Sequence, residues 1–151
     1  MIRSAVLFLM LLAPALHAGE EDDMWDAMAA TLPPAPPGYV REIAGDRSGS
    51  RATFGDDVEV EARYIGPDGT VALTLLTGNS LLAAAPSAIG LGSLLYGTEE
   101  INGQGYFAGR DSLTAQFGKL LIEAEGAERA VIREVLQGLD IARLKAMFPA
   151  E

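Results

Sequence analysis

The chain has 151 residues, a formal net charge of −10 and no cysteine. This length suits one domain that buries a core of its own. The missing cysteine excludes disulfides, thiolate metal sites and a cysteine nucleophile, and the negative charge opposes binding to nucleic acid or to anionic lipid.

Residues 1–18, MIRSAVLFLMLLAPALHA, have the pattern of a secretory signal peptide. A basic start at Arg3 is followed by a short apolar run and then by small residues, which predicts cleavage near Ala18, with Ala15 as the alternative. The apolar run is too short to span a membrane. We therefore predict an exported protein, periplasmic or secreted, with no transmembrane segment in the mature chain.

Cleavage also removes His17, the only histidine in the sequence. Without histidine and cysteine, the mature chain can form neither a Ser-His-Asp triad nor an ordinary zinc site. The loop DRSGSRATFGDD has side-chain oxygens at several positions of a calcium loop, but Arg51 stands where that loop requires glycine. The sequence therefore predicts no metal and no cofactor.

Residues 19–37 are predicted to form an acidic helix followed by a proline-rich spacer. Apolar side chains recur at the spacing of one helical face, and prolines from Pro33 onward end the helix. These apolar side chains are Met24, Trp25, Met28, Ala29 and Leu32. Trp25 and Met28 are predicted to lie on an arm that precedes a single domain at residues 38–151.

Alternation in VEVEARY predicts a half-buried strand, GPDG a tight turn, and TVALTLL the return strand of a hairpin. Both faces of the return strand are apolar, which is typical of a central strand. GYFAGR, SLTAQF and KLLIEAE predict a second block of strands, with Gly105 and Gly109 at turns or bulges, ending at Gly126.

The C-terminal part is predicted to be helical. AERAVIREVLQ has one apolar face and ends before Gly138. Asp140 then caps a short helix whose Ile141 and Leu144 share one face. The whole pattern predicts an α+β fold in which a mostly antiparallel sheet packs against an N-terminal helix, a central apolar helix and C-terminal helices.

The stretch 69–98 contains no charged residue. A break near Gly78 is followed by a predicted central helix from Ser80 or Leu81, whose glycines, proline and alanines make it a poor membrane span. Its outward face is uncharged, where an ordinary surface helix carries charges; the positions are Ala84, Ser87, Gly90 and Leu94. Residues 80–96 therefore form core, a flexible loop, or a surface covered by a partner.

The leading functional prediction is a non-catalytic binding, accessory or assembly factor with an envelope protein as partner. The predicted contacts are Ala84, Ser87, Gly90, Leu94, Trp25 and Met28. One alternative is a carboxylate-dependent hydrolase that uses Glu99 or Glu100 together with Asp56 or Asp111. Another is a small-ligand carrier with a cavity between the sheet and the central helix.

Overall fold

The computed structural model describes residues 23–44, 58–78, 96–126 and 128–149, and these contain seven strands and three helices. The strands are β1 (Val40–Ala44), β2 (Val58–Gly66), β3 (Gly69–Thr77), β4 (Thr98–Ile101), β5 (Gln104–Ala108), β6 (Ser112–Phe117) and β7 (Leu120–Gly126). The helices are α1 (residues 23–29), α2 (Arg129–Gln137) and α3 (Ile141–Met147).

All seven strands form one antiparallel sheet with the order β1-β2-β3-β7-β6-β5-β4. Two meanders, β1 to β3 and β4 to β7, meet where β3 pairs with β7. Four reversals of direction separate β3 from β4 in this order, so these two strands are parallel to each other. The chain must therefore cross from an interior strand to the far edge strand between residues 78 and 97.

The β2–β3 hairpin has the predicted position and turn. Gly66 pairs with Gly69, and the two residues between them form the turn. The turn succeeds because Gly69 adopts a φ of 110°, a conformation that residues with a side chain rarely adopt. The predicted central position of β3 is confirmed, since β3 pairs with β2 on one side and with β7 on the other.

Alternation along the strands directs one set of side chains into a continuous hydrophobic core. In β2 and β3 this set includes Val60, Ala62, Leu73 and Leu75, none of which has exposed surface. In β6 and β7 it continues through Leu113, Ala115, Leu120, Ile122 and Ala124, which are also fully buried. The shared register brings these residues to one face of the sheet, which we call the covered face.

Helices α2 and α3 pack on the covered face with the apolar sides that the sequence predicts. Val131, Ile132, Val135 and Leu136 of α2 are buried against the sheet. The backbone N–H of Gly138 bonds to carbonyl oxygens of the last turn of α2. The predicted cap of α3 is confirmed, because the Asp140 carboxylate accepts a hydrogen bond from the backbone N–H of Arg143 at 3.0 Å.

The N-terminal helix and the proline segment differ from the predicted arm and spacer. Met28 has no exposed surface and Leu32 is 6% exposed, and both belong to the same core as the sheet. The Pro33 carbonyl accepts hydrogen bonds from the Tyr64 hydroxyl at 3.0 Å and from Arg41 at 2.8 Å. Polar anchors and apolar burial therefore hold residues 23–37 against the covered face near β1 and β2.

The α+β class with an antiparallel sheet is thus confirmed. The predicted central helix lies outside the described residues. Strand β4, which the sequence pattern did not separate from the preceding stretch, forms one edge of the sheet and carries Glu99 and Glu100. β1 forms the other edge.

Candidate functional site

The predicted contact residues fall into two groups. Ala84, Ser87, Gly90 and Leu94 lie outside the described residues, as does Asp56. Trp25 is partly buried and packs against the core, while Met28 is fully buried. A partner could reach Met28 only after α1 left the sheet, because no atom of this side chain is at the surface.

Glu99 and Glu100 point to opposite faces of the sheet, since neighbouring residues of a strand alternate. Glu99 lies on the covered face, where its carboxylate is 2.7 Å from the Arg133 guanidinium and 3.8 Å from that of Arg129. Glu100 is exposed on the opposite face. These two carboxylates therefore cannot act together across one cleft, and the hydrolase alternative depends on one of them meeting Asp56 or Asp111.

The ion pairs of Glu99 tie the edge strand to α2. Arg129 also donates hydrogen bonds to the carbonyl oxygens of Ser112 at 2.8 Å and Gly109 at 2.6 Å. Arg129 and Arg133 are four residues apart and therefore lie on one side of the helix. Both arginines share one anionic neighbour, Glu99, so their role in the described structure is to hold β4 against α2.

Tyr106 is the cross-strand neighbour of Glu99 on the covered face and is fully buried. Its hydroxyl has no hydrogen-bond partner among the described residues. Burial raises the pKa of this hydroxyl, so it stays protonated at neutral pH. Tyr64 is buried too, and burial raises its pKa to about 12, but its hydroxyl bonds to the Pro33 carbonyl.

The opposite side of the sheet, which we call the open face, has a different composition. None of the three described helices packs on it, because their buried side chains join the core of the covered face. Within the strands its charged residues are one base, Arg63, and six acids: Glu42, Glu59, Glu61, Glu100, Glu123 and Glu125. The described helices carry three acids and four bases. Much of the negative charge of the strands and helices is therefore on the open face.

The charge on the open face is unevenly distributed. Its β1 and β2 part carries Glu42, Glu59, Glu61 and Arg63, whereas β3, β6 and β5 contribute uncharged side chains there. These are Thr70, Ala72, Thr74, Leu76, Ser112, Thr114, Gln116, Gly105 and Phe107. Leu76 pairs with Leu121 of β7, so two leucines are cross-strand neighbours at one end of these strands.

Glu123 is the carboxylate nearest the centre of the open face. It stands between Thr74 and Thr114 on the neighbouring strands. Partial burial, followed by repulsion from Glu125, raises the pKa of Glu123. The site therefore favours an uncharged group at this position.

A shallow depression of about 380 Å³ lies at one end of the open face. It is lined by Thr70, Ala72, Asp111, Glu125 and Gly126. Asp111 and Glu125 are both exposed, so water solvates their carboxylates and no enclosed cavity forms around them.

Among the described residues, no group of three acidic, histidine or cysteine side chains is arranged to hold a metal ion. The calcium-like loop at residues 46–57 lies outside this part of the chain. In the same described ranges, no helix has the length and hydropathy needed to cross a membrane. Comparisons with protein-family models, with curated proteins and with solved structures found no match.

Proposed function

We propose that this protein acts after export as a non-catalytic binding protein, an accessory or assembly factor of the bacterial envelope with another envelope protein as its partner. The signal pattern of residues 1–18 supports export. The loss of His17 on cleavage and the absence of cysteine support a role without acid-base or nucleophilic catalysis by those residues.

One observation carries the partner-binding part of the proposal. The buried side chains of the three described helices join the core on the covered face, and we therefore place residues 78–97 over the open face. A segment with no charged residue can then bury only one of its sides, the side that packs on the open face. Its other side is left for a partner, because monomeric proteins rarely expose a large uncharged surface.

The proposed contacts are the small and apolar positions Ala84, Ser87, Gly90 and Leu94. A central helix that begins at Ser80 or Leu81 is part of the proposal, since it would place these four residues on one side. Small side chains there would let a partner helix or strand approach closely. Trp25 is a further proposed contact, because it is only partly buried on α1.

Site-specific photo-crosslinking in the native envelope tests this function. A photoreactive residue is placed in turn at Ala84, Ser87, Gly90 and Leu94, and at Ala142, which is exposed on α3, as the control. We expect a discrete intermolecular product from the four positions and none from Ala142. Intramolecular products alone from the four positions would contradict the proposal.

The alternative proposal, a carboxylate-dependent hydrolase, is favoured by one observation. Asp111 and Glu125 line the same depression on the open face, so this proposal pairs Asp111 with Glu125 in place of the Glu99 or Glu100 expected from the sequence. Turnover of glycoside or ester substrates by the purified chain, abolished by Asp111→Asn and by Glu125→Gln but not by Glu134→Gln on α2, would establish this alternative. Absence of turnover that depends on these two residues would remove it.

A further inference from the structure

Residues 78–97, which we call the connecting segment, must link two strands that are not neighbours in the sheet. They join β3 to the parallel strand β4, which lies four strands away. Four strand spacings of about 4.8 Å give a lateral distance of about 19 Å. Twenty residues span about 30 Å even as a continuous helix, so the connecting segment is long enough to cross a face of the sheet.

The backbone hydrogen bonds fix the hand of this crossover. Ala108, on the covered face of β5, donates its N–H to the Gly97 carbonyl beside β4. Gly126, at a covered-face position of β7, donates its N–H to the Asp111 carbonyl beside β6. When a strand of L-residues is drawn ascending, a residue whose side chain points toward the viewer has its N–H pointing to the right. Viewed from the open face with β3 and β4 ascending, β4 therefore lies to the right of β3.

Crossovers between parallel strands of one sheet are right-handed in about 98% of cases. A right-handed crossover moves to the right as it passes in front of the sheet. Because β4 lies to the right only when the sheet is viewed from the open face, the right-handed path runs over the open face. The covered face would require a left-handed path, and α1, α2 and α3 already contribute buried side chains to the core on that face.

The composition of the open face agrees with this path. Between β3 and β5 the face is uncharged apart from Glu123 and Glu125, and it includes the Leu76–Leu121 pair. The charged part of the face, on β1 and β2, lies away from the path. An uncharged segment that crosses from β3 to β4 would thus cover a part of the face whose only charged side chains are Glu123 and Glu125.

We propose that the connecting segment of this same chain packs on the β3-β7-β6-β5 part of the open face through a right-handed crossover. The chain then has three layers, with helices on one side of the sheet and the connecting segment on the other. This inference does not depend on a partner, so loss of the intermolecular crosslinks would remove the proposed function and leave the three-layer arrangement in place.

The absence of cysteine allows a direct test by engineered disulfides. A cysteine at Ala84 or Ala88 is combined with Thr114→Cys on the open face, and each is also combined with Ala130→Cys, exposed on α2, as the matched control. After mild oxidation we expect an intramolecular disulfide in the Thr114 pairs and none in the Ala130 pairs. Disulfides to Ala130→Cys, or to neither face, would overturn the proposal.

Thiol labelling gives a second measurement on the single variants Thr114→Cys and Ala130→Cys. Residues 79–95 are replaced by a Gly/Ser linker of equal length, with circular dichroism as the check that the sheet persists. We expect labelling at Thr114→Cys to become at least about tenfold faster in the linker chain, since loss of a covering layer exposes the thiol, and labelling at Ala130→Cys to stay unchanged. Equal rates at Thr114→Cys with and without the segment would contradict the packing.

Discussion

Two buried tyrosines on the covered face differ in a single contact. The Tyr64 hydroxyl donates to the Pro33 carbonyl, whereas the Tyr106 hydroxyl has no partner among the described residues. A buried hydroxyl with a partner contributes about 1 kcal/mol to stability, while one without a partner costs about 1–3 kcal/mol. The same chemical change should therefore have opposite effects at the two positions.

We expect Tyr106→Phe to raise the free energy of unfolding by about 1 kcal/mol, and Tyr64→Phe to lower it by about 1 kcal/mol. Urea unfolding of both variants beside the parent chain measures the difference. Since both substitutions remove one oxygen from a fully buried ring, each serves as the control for the other. Destabilisation by Tyr106→Phe would mean that its hydroxyl has a partner outside the described residues.

Glu123, on the open face, makes the stability of the protein depend on pH. Its pKa is raised in the folded protein, chiefly by burial and then by Glu125, so above the ordinary glutamate range the folded state binds more protons than the unfolded state. Stability then falls as pH rises from that ordinary value through the raised one. Below both values the carboxyl is protonated in either state and imposes no penalty.

We expect Glu123→Gln to raise the unfolding temperature at pH 7, and the gain to shrink as the pH falls through the raised pKa of Glu123 toward the ordinary glutamate value of about 4. Thermal unfolding at a series of pH values measures it. Glu134→Gln on the exposed side of α2 is the matched control and should change little at any pH. A lower unfolding temperature of Glu123→Gln at pH 7 would show that the carboxylate makes a favourable contact.

Helix α3 is short, and its stability depends on its N-cap residue, Asp140. It has seven residues, and a helix this short is unstable without tertiary contacts and terminal hydrogen bonds. Asp140 supplies one such bond at the first turn. Leu144 is fully buried and Ile141 nearly so, so the cap also holds apolar side chains in the core.

We expect Asp140→Ala to lower the free energy of unfolding by about 1 kcal/mol, and Asp140→Asn, which keeps a capping oxygen, to lower it by less. Chemical denaturation of the two variants gives the comparison. Equal losses in both would show that the carboxylate acts through its charge and not through the hydrogen bond to Arg143.

The elements also show what sequence patterns can predict here. The β2–β3 hairpin, strands β5 to β7 and both C-terminal helices were predictable because period and turn residues are local signals. The four residues of β4 are too few for alternation to identify a strand. An N-terminal helix packed on the sheet was part of the predicted fold, but the burial of Pro33 was missed because proline predicts only a break, whereas the hydrogen bonds from Tyr64 and Arg41 are long-range.

The same limit applies to the candidate site. Sequence reasoning divided the uncharged stretch at residues 69–98 into a strand and a following segment near Gly78, but it could not place that segment relative to the sheet. The pairing of β3 with β7, which makes β3 and β4 parallel, joins residues far apart in the chain. The open face and its charge distribution follow from that pairing.

At the scale of the whole molecule, acidic and basic side chains are unevenly divided between the two sides of the sheet. Within the strands the open face carries six acids and one base, while the described helices carry three acids and four bases. With a net charge of −10, the folded chain repels itself. The repulsion is concentrated on the open face, since acids on the covered side, such as Glu99, lie beside arginines.

Salt should therefore stabilise the protein, and acids of the two sides should differ in how much they contribute. Raising the ionic strength from about 10 mM to about 150 mM shortens the Debye length from about 30 Å to about 8 Å, which screens repulsion between exposed carboxylates. We expect the unfolding temperature of the parent chain to rise over this range.

The double variant Glu59→Gln/Glu125→Gln, on the open face, should be more stable than the parent at low salt and should gain less from added salt. The double variant Asp23→Asn/Glu134→Gln removes the same two charges from α1 and α2 and should behave like the parent. Equal behaviour of the two double variants would mean that the repulsion is spread over the whole surface, because only a concentration of charge on the open face makes the position of the removed carboxylates matter.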